Sequence, residues 1–208
     1  MQVIRRRGRP PKQRADHIGT RDLLLRAGLE TLTEKGFTAA GLDEILARVR
    51  VPKGSFYHYF DSKEAFGLAL IERYGEFFAR KLDRHFLDPD LAPLERVRAF
   101  IDDAKAGMER FEYRRGCLIG NLGQEMAALP ESFRVRLKET FEDWQARLAV
   151  CLSEAQKAEQ LSVGADPRQI AAFFWIGWEG AVLRAKLEQS VAPLDVFAEF
   201  FFAGLPAR

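Results

Sequence analysis

Helical periodicity runs through almost the whole chain. Apolar residues recur at three- and four-residue spacing, and no stretch alternates apolar and polar residues long enough for a half-buried strand. The predicted fold class is therefore all-α. Prolines and glycines punctuate the pattern. Thr20 reads as the N-cap of a first helix with Leu24, Ala27, Gly28 and Leu32 on its apolar side, ending at Gly36 within Glu34-Lys35-Gly36-Phe37. A short helix follows from Asp43 to about Val49, and Pro52 opens a further segment of about two turns, Lys53 to Tyr59. Asp61 or Ser62 caps a long helix through Phe66, Leu70, Tyr74, Phe77 and Leu82, which stops at Asp88-Pro89 and is long enough to join two domains. Beyond it the spacing predicts helices at 93–112, 117–128, 131–160, 167–189 and 194–203. The last two carry apolar side chains on nearly all sides, which in a chain of 208 residues points to a partner subunit covering one of them.

The charge is unevenly spread. A formal net charge of +2 hides an N-terminus in which Arg5, Arg6, Arg7, Arg9, Lys12 and Arg14 face Asp16 alone, a local balance of +5. Pro10, Pro11 and the clustered like charges predict an extended, solvated arm over residues 1–18, of a kind that meets a polyanion. No apolar run reaches the roughly 18 residues of a membrane span, and no apolar stretch follows the N-terminal charges, so a cytoplasmic protein with no membrane partner is expected. Cys117 and Cys151 are too few for a disulfide framework and lack C-x-x-C spacing, while His17, His58 and His85 have no i, i+4 partner. Neither a metal site nor a cofactor is expected.

The most informative run is Lys53-Gly54-Ser55-Phe56-Tyr57-His58-Tyr59-Phe60-Asp61-Ser62-Lys63-Glu64. A short helix showing Lys, Ser, Tyr and His outward after a compact turn suits a recognition helix, since small and polar groups approach base edges while hydroxyls and amines meet phosphates. Taken alone it also fits an ordinary exposed helix. Residues 20–66 resemble the DNA-binding domain of the TetR family of transcriptional repressors. The likeness rests on Gly36-Phe37 at the end of the first helix, Ile45 and Ala47 in the second, and the Gly54 to Glu64 run. It implies that Lys53, Ser55, Tyr57, His58 and Tyr59 face DNA and that Lys63 grips a phosphate. Phe56 and Phe60 fall on the opposite, structural face. Gly41 and Pro52 depart from the family pattern, which has hydroxyl residues capping these two helices. Arg7-Gly8-Arg9-Pro10 looks like an AT-hook core, placing Arg7 and Arg9 in a minor groove, or else serves as a basic tail that raises non-specific affinity.

The second part of the chain resembles acrylate-responsive members of the same family through Arg114 to Met126, Phe174 to Ala181 and Arg184 to Glu188. More distantly it resembles members that answer electrophiles through a cysteine at the position of Cys117. Cys117 follows Gly116, lies near Arg114 and Arg115 and stands at a helix start, which favours the reactive thiolate. A buried, inert thiol is the other reading, and Cys151 is expected in the core. A pocket for a small carboxylate wants a cation, donors and a flat wall. Arg184 and Lys186 are cations in an apolar helix that must find a carboxylate among Glu125, Glu179, Glu188 or a ligand. Trp144, Trp175 and Trp178 are candidates for the wall, and Asn121 and Glu125 complete the set of sensor residues.

The expected organisation is a basic arm over 1–18, a three-helix DNA-binding domain with a helix-turn-helix over 19–65, and a helical ligand-sensing and dimerisation domain over 66–208. The expected function is a homodimeric repressor that binds a near-palindromic double-stranded operator. A small inducer, acrylate or a related compound, releases it. An electrophile-sensing repressor acting through Cys117 is the alternative. An all-helical enzyme or lipid carrier would need a catalytic constellation, and neither a nucleophile–base pair, a metal set nor a phosphate loop is apparent.

Overall fold

The computed structural model describes residues 14–206, with side chains from Gly19 onward. The all-α expectation holds: the described residues form nine helices and no strand. They are α1 Arg14–Lys35, α2 Leu42–Val49, α3 Lys53–Phe56, α4 Lys63–Phe86, α5 Pro93–Arg110, α6 Leu118–Gln124, α7 Glu131–Lys157, α8 Pro167–Glu188 and α9 Ala192–Ala203. Most of the arm, with Arg7 and Arg9, lies outside the described residues.

The first helix corrects the sequence reading. It begins at Arg14, so Thr20 lies inside it and not at its cap. Helix reaches back to Arg14 despite the local charge, and α1 is anchored from Leu24 onward by Leu24, Leu25 and Leu32, all buried. The α1 end is as predicted: Gly36 takes φ +82, the left-handed turn that glycine adopts without a Cβ clash, and its N–H donates to the Leu32 carbonyl at 2.9 Å. Between the two candidate caps of α4, Ser62 is used, its Oγ accepting from Ala65 N at 3.0 Å. Asp166 caps α8 in the same way, accepting from Arg168 N at 2.8 Å. The predicted 117–128 helix is shorter, since turns replace α6 after Gln124.

Helices α1 to α3 pack on the N-terminal half of α4. Phe56, Phe60 and Phe66 meet edge-on or tilted, with centroids 4.8 to 5.4 Å apart. A Cβ on Gly28 would stand 2.5 Å from Phe66, so the close approach of α1 to α4 requires glycine there. The rest of α4 joins α5, α7 and α8 around an aromatic core of Phe78, Phe100, Trp144, Phe174 and Trp175. The core is continuous from one half to the other, and α4 runs through both. No described helix is long and apolar enough to cross a membrane.

Candidate functional site

Two surfaces carry the candidate residues. The first is the turn after α2. Arg50 takes the left-handed conformation as the α2 cap, and Ser55 N and Phe56 N donate to the Pro52 carbonyl, so α3 forms a single helical turn continued by turns through Tyr59. Neither Gly41 nor Pro52 supplies a side-chain cap. Phe56 and Phe60 are buried, whereas Lys53, Tyr57 and His58 are exposed and Ser55 and Tyr59 half-buried. Lys53 pairs with Asp43 at 3.0 Å. Lys63 is turned inward: its Nζ donates to the Phe37 carbonyl at 3.0 Å and sits over the Phe37 ring at 4.5 Å, and burial lowers its pKa. In this arrangement Lys63 clips α4 to the end of α1 and does not present a free ammonium to a phosphate.

The second surface is a cavity of about 740 Å³ between α1, α4, α5, α8 and the loop leading to α6. That volume lies within the usual range of small-molecule sites, about 300–1,000 Å³. Its exposed rim carries Arg26, Arg80 and Arg110. Its inner wall includes Tyr74, Phe78, Cys117, Trp178 and Glu179. Cys117 caps α6, its Sγ accepting from Gly120 N at 3.4 Å. The Glu179 carboxyl lies beside that thiol and against Gly120, where a Cβ would come within 1.9 Å of Oε2. Its other oxygen, Oε1, is buried and makes no hydrogen bond among the described residues. Burial pushes Glu179 up to about 7. The Cys117 thiol is pushed well above its ordinary value, by burial first and then by the Glu179 carboxylate, and the Tyr74 hydroxyl is raised by burial and by both neighbours. The expectation that Arg114 and Arg115 favour the thiolate is thus overturned. Arg114 pairs with Glu112 at 2.7 Å on the surface, and Arg115 turns to Glu34 at 3.2 Å, leaving the thiol to desolvation and a carboxyl.

The end of α1 connects the two surfaces. Asn121 Nδ2 donates to the Thr33 carbonyl at 3.0 Å, and Lys186 Nζ reaches the same oxygen at 3.5 Å. The Glu125 carboxylate accepts from Phe37 N and Thr38 N, each at 2.8 Å.

Sequence comparison places the chain. Residues 24–70 match the description "Bacterial regulatory proteins, tetR family", and residues 93–201 match "Tetracyclin repressor-like, C-terminal domain". The transcriptional regulator AcuR of Cereibacter sphaeroides is 56% identical, covering 94% of this chain and 89% of its own. This chain belongs to the TetR family. The HTH-type transcriptional repressor NemR of Escherichia coli is 33% identical, over 85% of this chain and 88% of its own. The crystal structure of a TetR regulatory protein from Rhodobacter sphaeroides superposes with a TM-score of 0.86 at 56% identity, covering 88% of this chain and 97% of that one. The relatives are TetR regulators and not enzymes, and this chain is a TetR-family transcriptional repressor, a class that binds operator DNA and typically acts as a dimer.

Within that TetR frame, the structure redistributes the sensor residues read from sequence. Cys117 and Trp178 line the cavity. Trp144 and Trp175 do not; they pack on each other in the core at 5.1 Å, their indole N–H groups unpartnered among the described residues. Arg184 points outward and pairs with Glu188 at 2.7 Å, so the expected cation at the ligand is not this one. Lys186, two positions on and therefore on another face of α8, reaches a backbone carbonyl and no carboxylate. Asn121 and Glu125 join α6 to α1 and do not line the cavity. The sequence marks Tyr74 only as one of the residues of the long helix, and Glu179 only as a partner for the α8 cations. The signal that could have found Glu179 is an acid between Trp178 and Gly180 on a helix face shared with Trp175 and Val182.

Proposed function

We propose that the chain is a ligand-responsive repressor in which residues 19–65 engage a near-palindromic operator, residues 66–208 sense and dimerise, and a small carboxylate inducer, acrylate or a related compound, occupies the cavity and releases the DNA. The observation that carries this reading is the cavity itself, whose wall includes the cap of α6 while α6 bonds to the end of α1. A ligand that shifts Cys117 and α6 therefore acts on the element that positions the helix-turn-helix. A hundredfold release requires that the ligand favour the released arrangement by about 3 kcal/mol. The basic arm, with Arg7 and Arg9, adds phosphate contacts. Exposed Phe173, Ile176, Leu183 and Leu187 of α8, with Val196 and Phe200 of α9, supply the apolar face for a second copy.

A second reading, electrophile sensing, is favoured by one observation: the Cys117 thiol lines the same cavity. Gel-shift release separates them. Acrylate and its saturated analogue propionate are expected to release operator from both the wild type and Cys117→Ser. Release by acrylamide, methylglyoxal or hypochlorite alone, lost in Cys117→Ser, establishes the thiol sensor instead.

A further inference from the structure

The cavity has a rim of mixed charge with arginines in excess and, among the described residues, a single carboxyl, Glu179, on its inner wall. Arg26, Arg80 and Arg110 are exposed around it. Further in, the cations are already matched: Arg73 pairs with Asp22 at 2.7 Å, Lys81 with Asp103 at 2.8 Å and Arg115 with Glu34. None is bonded to Glu179. From α4 the group facing Glu179 is the Tyr74 hydroxyl, and from the start of α6 it is the Cys117 thiol, neither of which carries charge near neutrality because burial raises both. Glu30 and Glu76 are exposed acids of the rim, 4.0 Å from Arg115 and 3.8 Å from Arg80, and Asp195 of α9 is held by Lys105 at 2.7 Å. Glu179 is thus a carboxyl on the inner wall with one buried oxygen lacking any partner among the described residues. An ionised ligand cannot settle beside an ionised, buried carboxylate, since like charges at contact in a desolvated site repel strongly. A protonated Glu179 has the opposite character: it offers an O–H where the protein provides no acceptor.

We propose that Glu179 is the inducer-selecting residue of the cavity: it binds a small carboxylate as the neutral acid, donating its O–H to the ligand oxygen, so that binding draws a proton from solvent to the extent that the free protein holds Glu179 ionised. The rim arginines draw the anion in, and the inner wall admits it only with that proton. This rests on the reading of the cavity as an inducer site and names the chemistry by which it discriminates. Glu179 titrates near neutrality, at about 7, whereas a simple carboxylic acid, with an ordinary pKa near 4, stays ionised throughout the relevant range. The apparent Kd of such a ligand is divided by the protonated fraction of Glu179, and so weakens about tenfold between pH 6 and pH 8. A neutral isostere of the inducer does not require the proton.

The test is titration calorimetry of the full-length repressor with propionate, acrylate and acrylamide at pH 6, 7 and 8, in buffers of different ionisation enthalpy. The expected result is a roughly tenfold loss of affinity for both acids from pH 6 to 8, buffer-dependent heats showing proton uptake, and a change below twofold for acrylamide. In Glu179→Gln, whose amide is always a neutral donor, the slope disappears and affinity for the acids at pH 8 rises toward the pH 6 value. Acid binding with no pH slope and no proton uptake in the wild type overturns this inference alone, as does a slope that persists unchanged in Glu179→Gln. Absence of binding and of operator release by either acid at pH 6 overturns the carboxylate-inducer reading together with it. The wild-type slope and the buffer heats need no variant, so a poorly folded Glu179→Gln protein leaves the test intact.

Discussion

At the scale of single residues, Glu179 sets a stability profile as well as a site. Its native pKa of about 7 stands above the ordinary value of 4.5, so the folded protein favours the neutral acid. Below pH 4.5 both folded and unfolded chains hold the proton and the group contributes nothing. As pH rises the unfolded chain releases it first, and the native state loses stability until about pH 7, by on the order of 3 kcal/mol. Glu179→Gln removes this loss. Its melting temperature should match the wild type near pH 4.5 and exceed it by several degrees at pH 8, as read by circular dichroism; an offset independent of pH would contradict the assignment. How far such details were legible follows from geometry. The inward Phe56 and Phe60 and the outward Tyr57 and His58 sit on one short element, where helical spacing alone separates them. Tyr74, Cys117 and Glu179 come from three elements distant in sequence, and no local pattern announces that they meet. Arg184 and Lys186 look alike in the sequence, as cations of one apolar helix, although two residues of helix turn one outward and the other toward α1.

At the scale of elements, the joint between α6 and α1 deserves an experiment of its own. The Glu125 carboxylate holds two N–H groups just past Gly36, in a space that a Cβ on Gly36 would invade at 2.1 Å. Glu125→Gln keeps the shape but leaves one of the two N–H groups without an oxygen, costing about 1–2 kcal/mol. The expected outcome is a melting point lowered by a few degrees, inducer affinity within twofold of wild type by calorimetry, and operator release by saturating inducer reduced severalfold in gel shifts. Unimpaired release would show that coupling runs elsewhere, along α4 for example. The helices themselves were readable because prolines at 52, 93, 130, 167 and 193 mark their starts. The start of α1 was not, since local charge argued for an extended chain, and the helix anchored by its leucines reaches back past that charge to Arg14.

For the whole molecule, the charge division seen at the N-terminus extends inward. Residues through Lys63 hold thirteen cations against seven acids, and the remainder nineteen against twenty-three, so a DNA-facing end of +6 sits on a body of −4. The body also bears the apolar stripe of α8 and α9, with Ile176 at 74% and Phe200 at 71% exposure in the isolated chain. As the proposed dimer face, it should fail when charged: Ile176→Glu combined with Phe200→Glu is expected to elute as a monomer in light-scattering chromatography and to bind operator at least a hundredfold more weakly, because a single recognition turn then meets a single half-site. Retention of the dimer would move the interface elsewhere. That stripe has a further consequence for the repressor's abundance. If the stripe is the dimer face, the chain is more stable at higher concentration of itself, and lone chains expose an apolar surface open to degradation and aggregation. As the concentration falls, the fraction of lone chains rises, so loss of the repressor accelerates as it becomes scarce.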